Sequence, residues 1–314
     1  MIFQKSYTGM LMFTKKSTAE QVTNEIDLTG KTVVMTGVNS GLGYEAMRVL
    51  ASKGAHVIGL ARTLDKATEA CNGVEGITTP LACELSDLDS VKHCADQIVA
   101  MDIPVDIVIC NAGIMALPEL TLKDGLELQF LTNHMGHFLL VYLLQEKLKT
   151  AEEGRIVMLS SMGHQMTVKG GINFDNLDGS QGYKGWKFYG QSKLANLLTA
   201  KAFDDRLKGL GVRANAVHPG VINTNLTRSL DGVLGVFFKL PFAGLLMDRV
   251  FGKTIPQGAS TQCYVATNPS LKDVGGKYYS DNKEDKTSYY GSDKELADKL
   301  WDYSVEYLKT YIEK

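Results

Sequence analysis

The sequence predicts an α/β fold, namely a doubly wound, mostly parallel sheet of about seven strands with helices on both faces. Short β-branched apolar runs alternate with segments of helical apolar spacing, and a glycine-rich turn joins the first clear strand to the first clear helix. The chain has 314 residues and is 44% hydrophobic, which is enough for one large core. We therefore expect an extension over residues 1–28 and a single domain over residues 29–314.

Each element has its own pattern. Strands are short apolar runs bounded by turn residues, and they are expected at 32–36, 56–61, 76–83, 104–110, 154–159, 212–217 and 275–280. Helices repeat apolar residues every three or four positions, and they are expected after the glycine turn and at 88–100, 123–149, 189–207, 257–267 and 293–311. Ser86 or Asp87 is the expected cap of the helix at 88–100. The glycine-rich stretch 162–187 predicts a loop over the strand ends.

Residues 226–251 break this alternation with a strongly apolar stretch. Charged residues and Pro241 interrupt it too often for a membrane-spanning helix. Because it follows the carboxyl end of a strand, we expect a substrate lid at about 226–256 that covers the site with apolar side chains and favours a hydrophobic substrate. The alternative is an ordinary helix pair packed on the core or on a second subunit.

Composition excludes several classes of function. The formal net charge is −2 and the basic residues are scattered, which argues against nucleic-acid binding. Five cysteines without a Cys-x-x-Cys pair suit buried thiols in a reducing compartment, so we expect a cytoplasmic protein. His134 and His137 are spaced as metal ligands can be, but no acidic or cysteine ligand is near them in sequence, and no metal is expected.

The first 13 residues carry apolar side chains but no run long enough for a spanning helix, and they lack the features of a secretory signal. We expect a flexible or surface-docked extension; the alternatives are a peripheral membrane contact or an arm that joins a homo-oligomer.

The glycine turn carries a dinucleotide fingerprint. Gly41-x-Gly43-x-x-Ala46 follows a strand and opens a helix, which is the context that gives this motif meaning. Glycines let the backbone approach a pyrophosphate, and the helix N-terminus offers free N–H groups to it. The predicted sheet is therefore of the Rossmann type.

The end of the second strand indicates which dinucleotide binds. An acidic residue about 20 positions after the glycine turn would bind the ribose hydroxyl of NAD, but Arg62 stands there. A cation suits a 2′-phosphate, so we predict NADP(H) over NAD(H). The alternative is that Arg62 is only a solvated residue at a helix start.

Tyr189 and Lys193 are the candidate acid/base pair. Residues four apart share a helix face, so the ammonium should lower the pKa of the phenol. The spacing alone is weak, because Tyr183, Tyr279 and Tyr290 also precede a lysine by four positions. Only Tyr189 opens an apolar helix next to strand ends that should converge at one sheet edge, namely those at Gly37, Arg62, Asn111, Ser161 and Pro219.

These residues resemble the short-chain dehydrogenase/reductase family over about residues 28–280. The resemblance rests on Thr36-Gly37-x-x-x-Gly41-x-Gly43, Asn111-Ala112-Gly113, Asn133, Ser160-Ser161, Tyr189-x-x-x-Lys193 and Pro219-Gly220-x-x-x-Thr224. The stretches 17–22, 132–138, 189–196 and 216–220 are similar to the retinol-dehydrogenase-like branch, the first of them also to its plant relatives.

The resemblance implies a catalytic tetrad. Tyr189 would be the general acid or base, Lys193 would hold the nicotinamide ribose, Ser161 would hydrogen-bond the substrate oxygen, and Asn133 would anchor a water that links Lys193 to solvent. Ser160 is the less favoured serine. The cofactor contacts would be Gly37, Asn39, Ser40, Gly41, Leu42, Gly43, Arg62, Glu84, Leu85, Asn111, Ala112, Gly113, Tyr189, Lys193, Pro219, Gly220, Ile222 and Thr224.

Two residues depart from the family pattern. Glu84 stands where Asp usually lies near the adenine, and Tyr44 replaces the basic residue often found after the glycine turn in NADP-using relatives. Arg62 would therefore be the chief ligand of the 2′-phosphate.

The expected function is an NADP(H)-dependent oxidoreductase that acts on a hydrophobic carbonyl or alcohol, such as a retinoid, steroid or aromatic aldehyde or ketone. One alternative in the same fold is reduction of a carbon–carbon double bond in a large pigment, as in protochlorophyllide reductases. A non-catalytic regulatory protein that senses NADP(H) is another, although such a sensor has no need for Ser161 and Tyr189 together.

Overall fold

An eight-stranded sheet forms the centre of the molecule. The computed structural model describes residues 4–5, 11–222 and 252–313, with side chains from residue 13 onward. The strands are β1 (Thr32–Thr36), β2 (His56–Ala61), β3 (Ile77–Ala82), β4 (Ile107–Cys110), β5 (Gly154–Leu159), β6 (Val212–His218), β7 (Tyr278–Ser280) and β8 (Lys283–Glu284). Their order in the sheet is β8-β7-β6-β5-β4-β1-β2-β3, in which all neighbours are parallel except the antiparallel pair β7–β8.

Helices cover both faces of this sheet. They are α1 (Ala19–Val22), α2 (Gly41–Ser52), α3 (Leu64–Asn72), α4 (Leu88–Ala100), α5 (Gly136–Lys149), α6 (Gly185–Leu207), α7 (Ile255–Thr267), α8 (Lys294–Tyr307) and α9 (Lys309–Ile312). Helix α4 is capped by Asp87, whose side chain accepts a hydrogen bond from the Ser90 N–H. The predicted doubly wound α/β fold is thus confirmed.

The core lies in two layers, one on each side of the sheet. Along β1, Val34 packs into one layer while Val33 and Met35 pack into the other. The neighbouring β4 repeats this alternation with Val108 on one side and Ile109 on the other. Because both faces of each strand are buried, these strands read in sequence as continuous apolar runs.

The prediction of one long helix over residues 123–149 is wrong at its start. Residues Leu122–Lys123 and Leu126–Glu127 pair as a short hairpin, and helical structure begins with the single turn Leu128–Phe130. Asp124 and Gly125 have φ of +52° and +79°, so this Asp-Gly pair forms the tight turn it favours. The five-residue π-helix Leu131–Met135 then leads into α5.

Helix α6 begins one turn earlier than predicted, so that Tyr189 lies in its second turn. At the other side of the site, Val221–Ile222 pairs in parallel with Gly252–Lys253. The last residues of the expected lid therefore form a strand and the start of α7. Thr224 and residues 226–251 lie outside the described residues.

Across the described ranges, no helix is long and apolar enough to cross a membrane. All five cysteines are buried and free. The same ranges contain no group of three or more acidic, histidine or cysteine side chains that could hold a metal ion.

Candidate active site

The strand ends that carry the predicted site residues lie at one edge of the sheet. Five parallel strands lie side by side in the order β6-β5-β4-β1-β2, and their carboxyl ends point the same way. The chain winds outward in opposite directions from β1 and β4, which leaves a crevice at this switch point. Gly37, Asn111 and Ser160 directly follow β1, β4 and β5 at this edge.

The glycine turn between β1 and α2 is shaped for close approach of a ligand. Gly37 and Gly41 have φ of +73° and +57°, the left-handed region that glycine adopts without strain. A Cβ on Gly43 would lie 2.0 Å from the Gly37 carbonyl oxygen, so only glycine fits. Ser40 at the start of α2 makes no side-chain capping bond, and the first N–H groups of the helix remain available to an anion. The turn therefore fits the pyrophosphate of a dinucleotide.

The turn after β4 is tied to the glycine turn through Thr36. The Thr36 hydroxyl oxygen accepts hydrogen bonds from the N–H groups of Asn111 and Ala112, each at 3.0 Å. The Asn111 side chain in turn donates to the Thr36 carbonyl at 2.9 Å. A Cβ on Gly113 would lie 3.1 Å from Asn133 Oδ1 and 3.2 Å from Lys193 Nζ. Residues 111–113 thus join the glycine turn to the predicted tetrad.

Asn133 is fully buried in the π-helix, and its side chain is clamped. Its Oδ1 accepts the Ile114 N–H at 2.8 Å, and its Nδ2 donates to the Ile114 carbonyl and to Ser192 Oγ, both at 2.9 Å. Its main-chain oxygen is 2.9 Å from His137 Nδ1. A water bound at this carbonyl would therefore share it with His137.

Ser161 and Tyr189 come together, while Ser160 turns away. Ser160 Oγ donates to the Lys193 carbonyl at 2.7 Å, which occupies its proton inside the fold. The half-buried Ser161 lies beside the Tyr189 hydroxyl and opposes the rise that burial causes in the pKa of Tyr189. Gly163 lies against the same ring, since a Cβ there would be 2.7 Å from Tyr189 Cε1. The role of Ser161 as the serine that faces substrate stays a prediction.

The ammonium of Lys193 is not placed against the Tyr189 hydroxyl, as the helical spacing had suggested. Its Nζ is 5.8 Å from the centre of the Tyr189 ring and donates instead to the Leu159 carbonyl at 3.1 Å. Burial raises the pKa of Tyr189 above its ordinary value and lowers the pKa of Lys193 to about 8. The expected lowering of the pKa of Tyr189 is therefore wrong for this structure, because the cost of burying the phenolate is the larger effect.

The other tyrosines that precede a lysine by four residues have separate roles. Tyr183 donates to the Leu117 carbonyl at 2.8 Å, and Tyr290 accepts the Gly170 N–H at 2.9 Å. Tyr279 lies in β7 in the core layer on the opposite side from α6. Of these four tyrosines, Tyr189 is the one that meets Ser161.

The remaining predicted cofactor residues within the described ranges follow the strand ends at this edge, and Glu84 differs from the expectation. Asn39, Ser40 and Arg62 are exposed, and Leu42 meets Ile222 above Gly258, where a Cβ would approach both side chains. Leu85 is buried against Gly136, and Pro219 and Gly220 follow β6. Glu84 folds back onto Ser86, whose N–H and hydroxyl its Oε1 accepts at 3.1 and 3.0 Å.

Sequence reasoning missed several supporting groups. The Leu159 carbonyl and the main chain of Ile114 carry no residue-type signal, and the contact of Gly163 with Tyr189 depends on a loop whose path the pattern does not define. His137 could have been found, because a buried histidine next to Asn133 must find hydrogen-bond partners.

The fold, the glycine turn and the tyrosine beside a strand-end serine define a dinucleotide-dependent oxidoreductase site. Residues 31–232 match the family model described as short chain dehydrogenase. The chain is 42% identical to short-chain dehydrogenase TIC 32 A, chloroplastic, of Brassica napus over 94% of this chain and 93% of that protein. It is 37% identical to retinol dehydrogenase 11 of Mus musculus, over 91% and 89% respectively.

A solved structure of an uncharacterised protein from Mycobacterium paratuberculosis superimposes with a TM-score of 0.73 at 33% identity, over 90% of this chain and 95% of that one. The chain therefore belongs to the short-chain dehydrogenase/reductase family. It is an NAD(P)-dependent oxidoreductase homologous to retinol dehydrogenases, and the resemblance seen in the sequence is confirmed.

Proposed function

We propose that this protein is an NADP(H)-dependent oxidoreductase that interconverts a hydrophobic alcohol and its aldehyde or ketone, with Tyr189 as the general acid and base. The observation that carries the proposal is the contact of Tyr189 with Ser161, beside the cluster of Lys193, Asn133 and Gly113.

The residues act on the oxygen of the substrate. The nicotinamide supplies the hydride to the carbonyl carbon. Ser161 donates a hydrogen bond to the carbonyl oxygen, and Tyr189 transfers its proton there as negative charge develops. Lys193 as an ammonium, 5.8 Å from the centre of the Tyr189 ring, offsets part of the cost of ionising Tyr189 until a proton from solvent restores it. In the oxidative direction, Tyr189 accepts the proton of the alcohol.

Apolar residues at the mouth of the site support a hydrophobic substrate. Met162 and Val221 follow the ends of β5 and β6, line the same pocket, and are 53% and 45% exposed. Large apolar side chains exposed close together are typical of binding surfaces. Retinoids, steroids and aromatic aldehydes are the classes we propose, and the relatives named retinol dehydrogenases favour the first. The five buried thiols suit a reducing compartment.

The chemical step is tested with Tyr189→Phe. This variant keeps the ring that packs on Gly163 but removes the proton donor, so kcat with NADPH and a panel of retinoid, steroid and aromatic carbonyls should fall by about 10²-fold or more. The Kd for NADPH should stay within about twofold. Tyr183→Phe is the matched control, because its hydroxyl bonds the Leu117 carbonyl, Gln129 and Glu127, none of which belongs to the tetrad. Full activity of Tyr189→Phe would disprove the mechanism, and no turnover by the wild type on any member of the panel would disprove the substrate class.

The two adjacent serines provide a second test. Ser161→Ala should lower kcat by about 10²-fold because the substrate oxygen loses its hydrogen bond. Ser160→Ala should mainly lower the melting temperature, because its hydroxyl bonds the Lys193 carbonyl inside the fold. Equal losses of kcat in both variants would contradict these assignments.

The preference for NADP(H) is tested at Arg62. Its exposed guanidinium at the end of β2 can meet a 2′-phosphate, and Arg62→Ala should raise the KM for NADPH roughly tenfold while leaving the KM for NADH unchanged. A wild-type enzyme with equal kcat/KM for the two cofactors would contradict the preference.

A further inference from the structure

His137 closes a ring of hydrogen bonds around the tetrad. Its Nε2 is 2.9 Å from the Thr36 hydroxyl, and its Nδ1 is 2.9 Å from the Asn133 carbonyl. From Thr36 the ring continues through the Ala112 N–H to the main chain of Ile114, which holds the Asn133 side chain on both its polar atoms. The ring therefore joins the glycine turn, the turn at 111–113 and the π-helix.

The donors and acceptors of this ring are compatible with one protonation state. The Thr36 oxygen already accepts two N–H groups, so its own proton is left for His137 Nε2. His137 then carries its proton on Nδ1 and donates it to the Asn133 carbonyl. Burial favours this neutral imidazole, since it lowers the pKa of His137 to about 4.

We propose that His137 is a positioning residue, which fixes the cofactor-facing turn at 111–113 relative to Asn133 and Lys193. The proposal rests on the nicotinamide half of the cofactor lying against this turn, as proposed above. Gly113 belongs to the ring and lies where a Cβ would approach both Asn133 Oδ1 and Lys193 Nζ. If the ring opens, the turn can shift relative to these two groups, and the nicotinamide half of the binding site loses its preorganised shape.

The chain contains a matched control three residues earlier, in the π-helix that leads into α5. His134 is equally buried and also neutral, with its pKa lowered to about 3 by burial. However, its Nε2 is 3.1 Å from Ser304 Oγ in α8 and its Nδ1 is 3.4 Å from Thr199 Oγ1 in α6. His134 therefore joins the π-helix to the far side of the core and takes no part in the ring.

The test compares His137→Asn with His134→Asn. An asparagine at position 137 can still donate to the Asn133 carbonyl, but it is too short to reach Thr36. The Kd of the His137→Asn variant for NADPH, measured by fluorescence titration without substrate, should rise roughly tenfold, as expected for one lost buried hydrogen bond. His134→Asn should leave this Kd within about twofold of the wild type, although both variants lower the melting temperature. Wild-type binding of NADPH in the same titration tests the proposed function separately.

Thr36→Val removes the hydroxyl that contacts His137, and it replaces His137→Asn as the test if that variant does not fold. It should weaken NADPH binding at least as much, and the double variant should bind no more weakly than Thr36→Val alone, because both changes break the same contact. The proposal is overturned if His137→Asn binds NADPH as the wild type does, if His134→Asn weakens binding equally, or if the effects of the two ring variants add. If His137→Asn does not fold, an unchanged Kd in Thr36→Val overturns it.

Discussion

Replacing Gly43 by alanine should disrupt cofactor binding through a single methyl group. The added Cβ would lie 2.0 Å from the Gly37 carbonyl oxygen and 2.5 Å from Asn111 Nδ2, whereas ordinary contacts begin at 3.4 Å. The glycine turn or α2 must therefore move by about 1.4 Å, the difference between 3.4 and 2.0 Å. Overpacking of this kind costs about 1–3 kcal/mol. With an unfolding entropy of roughly 2.1 cal/mol/K per residue, this lowers the melting temperature by about 2–5 °C.

The effect on the cofactor should be larger, because misplacement by about 1 Å can cost roughly 100-fold. At a concentration of NADPH about 100 times the wild-type Kd, binding stabilises the wild type by about 2.7 kcal/mol, and a 100-fold weaker variant by about 0.4 kcal/mol. Thermal denaturation without NADPH measures the loss of stability, and the shift of the melting temperature on adding NADPH measures the loss of binding. Gly209→Ala is the control, since its Cβ would meet nothing within 4 Å. An NADPH-induced shift in Gly43→Ala equal to that of the wild type would refute this reasoning.

Two further predictions concern charge. Burial lowers the pKa of Lys193 from 10.5 to about 8, so the ammonium that would hold the ribose is lost as pH rises through about 8. NADPH binding should weaken above that pH in the wild type and show no such inflection in Lys193→Met. The unfolded chain keeps this proton up to about pH 10.5, so this group favours folding more as pH rises from about 8 to 10.5. Asp204→Ala should cost about 3 kcal/mol in urea unfolding, because the buried carboxylate pairs with Arg213 at 2.8 and 3.0 Å, whereas the exposed Asp96→Ala should cost less than about 0.5 kcal/mol.

The sequence predicts the sheet and the site edge well, because both follow from local patterns. The glycine turn has one compatible geometry, and apolar runs of four to six residues, such as Ile107–Cys110, mark strands buried on both faces. Once the strands are parallel, the residues after their carboxyl ends must share an edge. The position of Ser161 near Tyr189 follows from that rule.

What the sequence does not predict depends on main-chain atoms and on burial. The direction of the Lys193 side chain is set by the Leu159 carbonyl, and the pKa of Tyr189 by the balance between its burial and its contact with Ser161. The hairpin at 122–127 had a readable signal in Asp124-Gly125, but the apolar spacing around it was interpreted as helical.

The geometry of the site depends on the number of residues in and just after the π-helix Leu131–Met135. Together with the first turn of α5, this π-helix gives Asn133, His134 and His137 three different directions, toward Ile114, Ser304 and Thr36. Each residue added to or removed from a helix rotates everything after it by about 100°, so one insertion between Asn133 and His137 would turn the following residues away from their partners. We therefore expect this stretch to accept changes of side chain far more readily than any change in the number of residues.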